Sequence, residues 1–313
     1  MSLNKKHLIF QLMLFILLLT NCDKNKNVKK IDLSKREIIK QESKPFNKLE
    51  PIKIAIGSMI TPKQGYAFYR QLVDYIGEKL ERPVKLIERE NYKDVNNLVL
   101  NKQIDLAFVC GKPYVDGHDE FGMELLVAPQ AFGETVYYSY IIVNKNSLIK
   151  NFSELKGKSF AFTDPMSNTG KLVPTYMLAK MGQTPKSYFK EFTYTYAHDK
   201  SIQAVAEGII DAAAVDSLIW EYASRKDPKY TSKTRIIKKS DPYGIPPVII
   251  RPNFDKNLKN KLKDLFLNMH NDINGKKILD NMLIDKFVII EDSAYNSIRE
   301  MESFIMQKNE SSH

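Results

Sequence analysis

Cysteine is scarce in this chain. Only Cys22 and Cys110 occur among 313 residues. Cys22 closes an N-terminal apolar run, so Cys110 stands alone in the remainder, no internal disulfide is expected, and stability must come from a packed core. Cys110 ends the apolar run Ile104 to Val109, and its neighbours Gly111 and Lys112 offer no general base. It reads as a structural thiol, not a nucleophile. The five histidines, His7, His118, His198, His270 and His313, are scattered, with no HxxxH or CxxC spacing. Neither a metal site nor a cofactor is expected. A phosphate-binding P-loop is missing too, because Thr169-Gly170-Lys171-Leu172 lacks the earlier glycine and the hydroxyl after the lysine. No basic stripe with interleaved aromatics occurs, so nucleic acid is not an expected partner. There is no short-period repeat, and no transmembrane helix is expected after the leader.

What is present begins with export. Lys5 and Lys6 precede an almost unbroken apolar run, Leu8 to Leu19, followed by Thr20, Asn21 and Cys22. A charged start, a short apolar stretch and a break make a signal peptide over 1–22, too short for a comfortable membrane span. Leu19-Thr20-Asn21-Cys22 has the form of a lipoprotein box, with Asn21 where a smaller residue is usual. Cleavage there would leave a lipidated Cys22 anchored to the bacterial envelope, at the periplasmic face or cell surface. Residues 23–50 are polar and read as a flexible tether. The net charge is +10. Two lysines lie in the leader, and nine Lys/Arg face five Asp/Glu in 23–50, so only +4 belongs to residues 51–313. A basic tether suits an anionic membrane surface.

From Pro51 apolar runs of strand length alternate with segments of helical period. Ile52 to Ile56, Val84 to Ile87 and Asp105 to Val109 read as strands; Gly65 to Leu80 and Tyr92 to Leu100 read as helices. Tyr137 to Val143 reads as one long strand. The alternation then recurs, with strands at 159–162, 192–196 and 212–215 and helices at 172–181, 201–207 and 218–223. Later strands are expected at 235–238 and 246–250, then helices near 256–269 and 273–283 and a terminal segment. Two such blocks predict an α/β clamshell, each lobe a doubly wound sheet with flanking helices. The expected organisation is lobe 1 from 51–138, lobe 2 from 139–245, and a return to lobe 1 over 246–313. Ligands of such sheets bind beyond the carboxyl ends of the strands, which places Ser58-Met59 and Cys110-Gly111 at one side of a cleft.

The most informative stretch is 161–174, AFTDPMSNTGKLVP. A buried strand, a break at Asp164-Pro165, then Ser167, Asn168, Thr169 and Gly170 lead into a helix. A helix start has unpaired N–H groups and a partial positive charge, and hydroxyls placed there add donors, so an oxyanion can be held without a cation. The plainer alternative is that Ser167 caps the helix. His198-Asp199 sits at a strand end before the helix of 201–207. Asp199 could be its N-cap, and His198 either a donor into the cleft or an exposed loop residue. Asp216 could cap the helix at Leu218 or point into the cleft. Ser167, His198 and Asp216 form a nominal Ser–His–Asp set, but no G-x-S-x-G turn surrounds Ser167 and the chain order is not a common triad order. An enzyme is not expected.

Several motifs together carry a resemblance: DPMSNTGKLVP, HDKSIQAVAEG, DAAAVDS and DLAFVCGKPYV. In order and spacing over about 51–300 they look like the phosphate/phosphite/phosphonate-binding solute receptors of ABC importers. The resemblance implies a type II periplasmic-binding-protein fold that closes on one small oxyanion, an ABC permease and ATPase as partners, and a monomer. It places ligand contacts at Ser167, Asn168, Thr169, Tyr92, Tyr137 and His198, with Asp216 close by. Positions where aminoalkyl-phosphonate receptors carry carboxylates match Leu218 and Pro246, so 2-aminoethylphosphonate is not the expected ligand; phosphate, phosphite or a small phosphonate is. The alternative reading is a sensing lipoprotein of the same fold coupled to a membrane kinase.

Overall fold

The apolar segments of the sequence pair into two separate sheets. In the computed structural model residues 49–57 and 62–310 are described, with side chains of the first helix from Tyr69 onward. The signal peptide, Cys22, nearly all of the tether and Ser58-Met59 lie outside the described residues. In chain order the strands are β1 Ile52–Ile56, β2 Val84–Glu88, β3 Leu106–Phe108, β4 Glu124–Gln130, β5 Val136–Tyr137, β6 Ser139–Asn144, β7 Ser159–Phe162, β8 Glu191–Tyr194, β9 Ala212–Asp216, β10 Thr234–Lys239, β11 Tyr243–Gly244, β12 Val248–Ile250 and β13 Lys286–Val288. The first sheet runs β13-β4-β12-β3-β1-β2 and the second β10-β6-β9-β7-β8. In each, three parallel strands (β2-β1-β3 and β8-β7-β9) are followed by an antiparallel strand, β12 or β6, that the chain enters on arriving from the other sheet. Both passages run through one antiparallel ribbon, β5 with β11.

The expected strand at 137–143 is therefore two strands. It breaks at Tyr138, whose N–H donates to Ser217 Oγ at 3.0 Å and whose carbonyl accepts the Ser217 N–H at 3.0 Å. Those bonds tie the crossing to the helix Ser217–Lys226. Among the elements that went unanticipated are the helix Gly111–Phe121, strand β4, and a 15-residue C-terminal helix, Asn296–Glu310. The first is masked by Gly111, Pro113 and Gly117, all weak helix formers. A Cβ at Gly117 would stand 2.4 Å from Met123 Cε, so the Met123 side chain would have to shift to admit one.

Packing follows the alternation of the strands. Ile52, Ile54, Leu72, Phe108, Phe266 and Phe287 fill one face of the first sheet. Phe160, Phe162, Leu178 and Phe189 fill one face of the second, with Ile142, Ala161, Val205 and Val215 on the other. A further cluster joins Tyr92, Cys110, Tyr114 and Tyr137 to Leu172 and Val173, which follow the second sheet's β7. The two lobes are in apolar contact, and the Tyr92 N–H crosses between them to Asp164 Oδ2 at 3.2 Å.

Candidate ligand site

Strands β2, β3, β7 and β9 each lead into a helix. Tyr92 opens the helix Tyr92–Leu100 after β2, and Cys110 is the N-cap residue after β3. Ser167 caps a helical stretch after β7 that begins with a wide π turn, Asn168–Leu172, and continues as Val173–Lys180. The helix thus starts before the expected Leu172. Ser167 Oγ accepts the Gly170 N–H at 3.0 Å, so the capping reading holds, and the hydroxyl hydrogen remains available as a donor. Gly170 is fixed by a close approach: a Cβ would lie 1.7 Å from Thr163 Oγ1. Ser139 Oγ on β6 donates to the Thr169 carbonyl at 2.6 Å and holds the turn against the sheet.

Ser167, Asn168, Thr169, His198 and Asp216 are all buried, as are Tyr92 and Tyr137. Of these, Thr169 Oγ1, Asn168 Oδ1, His198 Nε2 and Asp216 Oδ2 have no hydrogen-bond partner. Buried polar atoms are nearly always paired, and leaving one unpaired costs about 1–3 kcal/mol. Four in one locality mark a place built for something polar.

His198 is neither in a loop nor exposed. It is the first residue of the helix His198–Ala206, which starts three residues earlier than expected, and the N-cap is Ala197, not Asp199. Its Nδ1 accepts the Asp216 N–H at 2.9 Å. Burial drives its pKa down to about 3, so the ring is neutral, and a neutral ring that accepts at Nδ1 carries its hydrogen on Nε2. The unpartnered Nε2 is therefore a donor. Asp216 does two things. Its Oδ1 accepts the Leu218 N–H at 2.7 Å as the helix cap, while Oδ2 is left over. Burial raises this carboxyl to about 7.

The two tyrosines differ in their surroundings. Asn168 Nδ2 donates to the Tyr137 hydroxyl at 3.1 Å, and that hydroxyl also lies 3.3 Å from Cys110 Sγ. Burial pushes the Tyr92 and Tyr137 phenols well above their ordinary range, so both remain protonated donors. Lys171, the cation nearest in sequence, bonds Thr175 Oγ1 at 2.9 Å and lies over the Phe162 ring. Among the described residues no lysine or arginine is fully buried, so the cradle's donors are neutral. Sequence reasoning missed Asp164, Thr163 and Tyr69. Asp164 read as a strand breaker, although a carboxylate at a strand's carboxyl end was the available signal.

A two-lobed α/β protein with helix starts and neutral donors gathered at the lobe junction is a periplasmic substrate-binding protein in form. The family model for the periplasmic substrate-binding protein of phosphonate ABC transporters matches residues 54–295, and the chain belongs to that family. A probable ABC transporter phosphite binding protein, PhnD1, from Prochlorococcus marinus is 27% identical over 240 residues, 72% of this chain and 80% of that protein. A binding protein component of an ABC phosphonate transporter from Pseudomonas aeruginosa superposes with a TM-score of 0.78 at 25% identity, covering 83% of this chain and 88% of the other. The Prochlorococcus PhnD1 structure, in complex with methylphosphonate, has a TM-score of 0.73 at 23% identity, covering 80% and 96%. Proteins of this family are exported transport components, not enzymes.

Proposed function

We propose that this chain captures a small phosphorus oxyanion, whether phosphate, phosphite or a small phosphonate, at the junction of its lobes and delivers it to an ABC permease and its ATPase. The observation that carries the reading is the pair of fully buried, unpartnered donors, Thr169 Oγ1 and His198 Nε2, beside a helix start. Helix N-termini favour anions through unpaired N–H groups and a partial positive charge. Ser167, Asn168, Thr169 and His198 hold the anion, Tyr92 and Tyr137 close on it from the first lobe, and Asp216 accepts or donates a proton depending on the ligand's charge state. Lobe 1 comprises 51–138 and 246–313, lobe 2 comprises 139–245, and the β5–β11 ribbon is the hinge. The protein acts as a monomer tethered through a lipidated Cys22.

Calorimetric titration of the full chain with phosphate, phosphite, methylphosphonate and sulfate tests this. Saturable binding of at least one phosphorus oxyanion is expected. If a folded sample binds none of them, the reading is wrong.

A further inference from the structure

Asp164 lies in the turn after β7 and reaches across to the first lobe. The two oxygens of its buried carboxyl have separate tasks. Oδ1 accepts the Met166 N–H of its own turn at 2.8 Å, while Oδ2 accepts the Tyr92 N–H of the other lobe at 3.2 Å. Its carbonyl accepts the Ser167 N–H at 2.9 Å. The residue that touches the other lobe therefore also shapes the segment leading into Ser167, Asn168 and Thr169.

On the far side, the helix Tyr92–Leu100 is capped from two directions. Asn91 Oδ1 accepts the Asp94 N–H at 2.8 Å, and Asp164 accepts the N–H of Tyr92, the first helical residue. The first N–H groups of a helix have no partner within it, and its dipole favours a negative group there. A carboxyl from the second lobe thus does for this helix what an oxyanion would do at Ser167. Burial raises the Asp164 pKa, and the Met166 and Tyr92 N–H bonds oppose that rise. An ionised carboxylate is acceptor-only, so Asp164 has no donor to offer an anionic ligand. The Tyr92 bond requires the lobes to be in contact. An interaction made in one state alone biases the equilibrium toward that state, and this one consists of the protein's own atoms, whatever the ligand.

We infer that Asp164 is a latch between the lobes: a positioning residue that draws the helix start at Tyr92 onto the cradle-bearing turn, raising affinity and residence time alike for every ligand and leaving selectivity to the cradle. The affinity readout rests on the oxyanion reading of that cradle. Hydrogen bonds to charged groups correspond to roughly ten- to 150-fold in an equilibrium constant.

Two variants break the bond from opposite sides. Asp164→Asn keeps one acceptor oxygen for Met166 and turns an NH2 group toward the Tyr92 N–H. Tyr92→Pro removes that N–H. Proline is tolerated at the first helical position, and Asn91 before it is already extended at φ −139° and ψ 161°. Tyr92→Ala is the reference, because both substitutions lose the ring. The full chain is studied by calorimetry and stopped-flow with phosphate, phosphite and methylphosphonate, and by small-angle scattering without ligand. Asp164→Asn is expected to weaken every anion that binds by one common factor of at least about tenfold, mostly through faster dissociation. Tyr92→Pro should bind at least about tenfold more weakly than Tyr92→Ala, and the gap should close when both also carry Asp164→Asn. Equal affinities for Tyr92→Pro and Tyr92→Ala would overturn the latch, since Asp164 would then serve only its own turn. A loss at Asp164→Asn that differs several-fold between anions would overturn it too, by placing Asp164 against the ligand. If the parent binds no anion, the oxyanion reading fails. In that case, or if Tyr92→Ala abolishes binding, scattering decides: a larger radius of gyration for Asp164→Asn than for the parent sustains the latch, and equal radii overturn it.

Discussion

Thr169→Val should move stability and affinity in opposite directions. The substitution keeps the branched shape and exchanges a hydroxyl for a methyl. Thr169 Oγ1 is buried and unpartnered without ligand, so the ligand-free protein carries the desolvation penalty of a buried hydroxyl, about 1–3 kcal/mol. Removing the hydroxyl should stabilise the unliganded protein by up to that amount. With an oxyanion bound, the same hydroxyl donates to charge, an interaction worth about 1.5–3 kcal/mol. Its loss should weaken binding roughly ten- to 150-fold. Urea unfolding without ligand measures the first quantity and calorimetry the second. A hydroxyl with a purely structural role predicts the reverse pattern: a less stable protein with unchanged affinity. That result would refute the reasoning, because it would mean that Thr169 has a partner within the fold.

The pH dependence of stability follows from two buried neighbours of opposite tendency. Asp216 is raised from 3.8 to about 7, so its stabilising contribution is complete below about pH 4 and is lost as pH rises through 7. His198 is depressed from 6.5 to about 3, so its contribution is complete above about pH 6.5 and is lost as pH falls through 3. Between about pH 4 and 6.5 the two slopes offset each other. Asp216→Asn should therefore leave stability that falls on acidification below 6.5, and His198→Gln stability that falls as pH rises from 4 to 7, both read by urea unfolding across pH. Identical pH profiles in parent and variants would count against both assignments. Gly170→Ala should destabilise the fold by at least about 1–3 kcal/mol, since the new Cβ would lie 1.7 Å from Thr163 Oγ1 and 2.8 Å from Thr163 Cβ; thermal unfolding reads this. If Cys22 carries the lipid, Cys22→Ser should shift the protein from the membrane fraction to the soluble fraction and remove the fatty-acyl mass, and an unchanged distribution and mass would contradict lipid anchoring at Cys22.

Elements with clean periodicity could be read to the residue. Ile52–Ile56 and Tyr92–Leu100 sit where their apolar spacing puts them, because burial of one face sets both the pattern and the element. His198 could not be placed so well. Asp199 looks like a cap, yet the helix starts at His198, whose ring accepts the N–H of Asp216, eighteen positions away. A long-range bond of that kind leaves no local mark. The run Tyr137 to Val143 is apolar apart from Ser139 and reads as one strand, yet the pairing of Tyr138 with Ser217 splits it. The donors around Thr169 were legible because strand, break, hydroxyls and helix start follow one another in sequence. The pocket beside Asp216 was not, because its lining residues Tyr69, Phe132, Leu218, Ile245 and Ile284 come from five segments that only the tertiary fold assembles. Asp216 illustrates both sides. Its capping role is local and was readable, whereas the burial of its second oxygen without a partner shows only in the assembled fold.

The most direct measurement is a crystal structure of the protein with a bound phosphonate. The account predicts phosphonate oxygens within hydrogen-bond distance of Thr169 Oγ1 and His198 Nε2. A phosphonate bound elsewhere, with Thr169 and His198 still unpartnered, would contradict it.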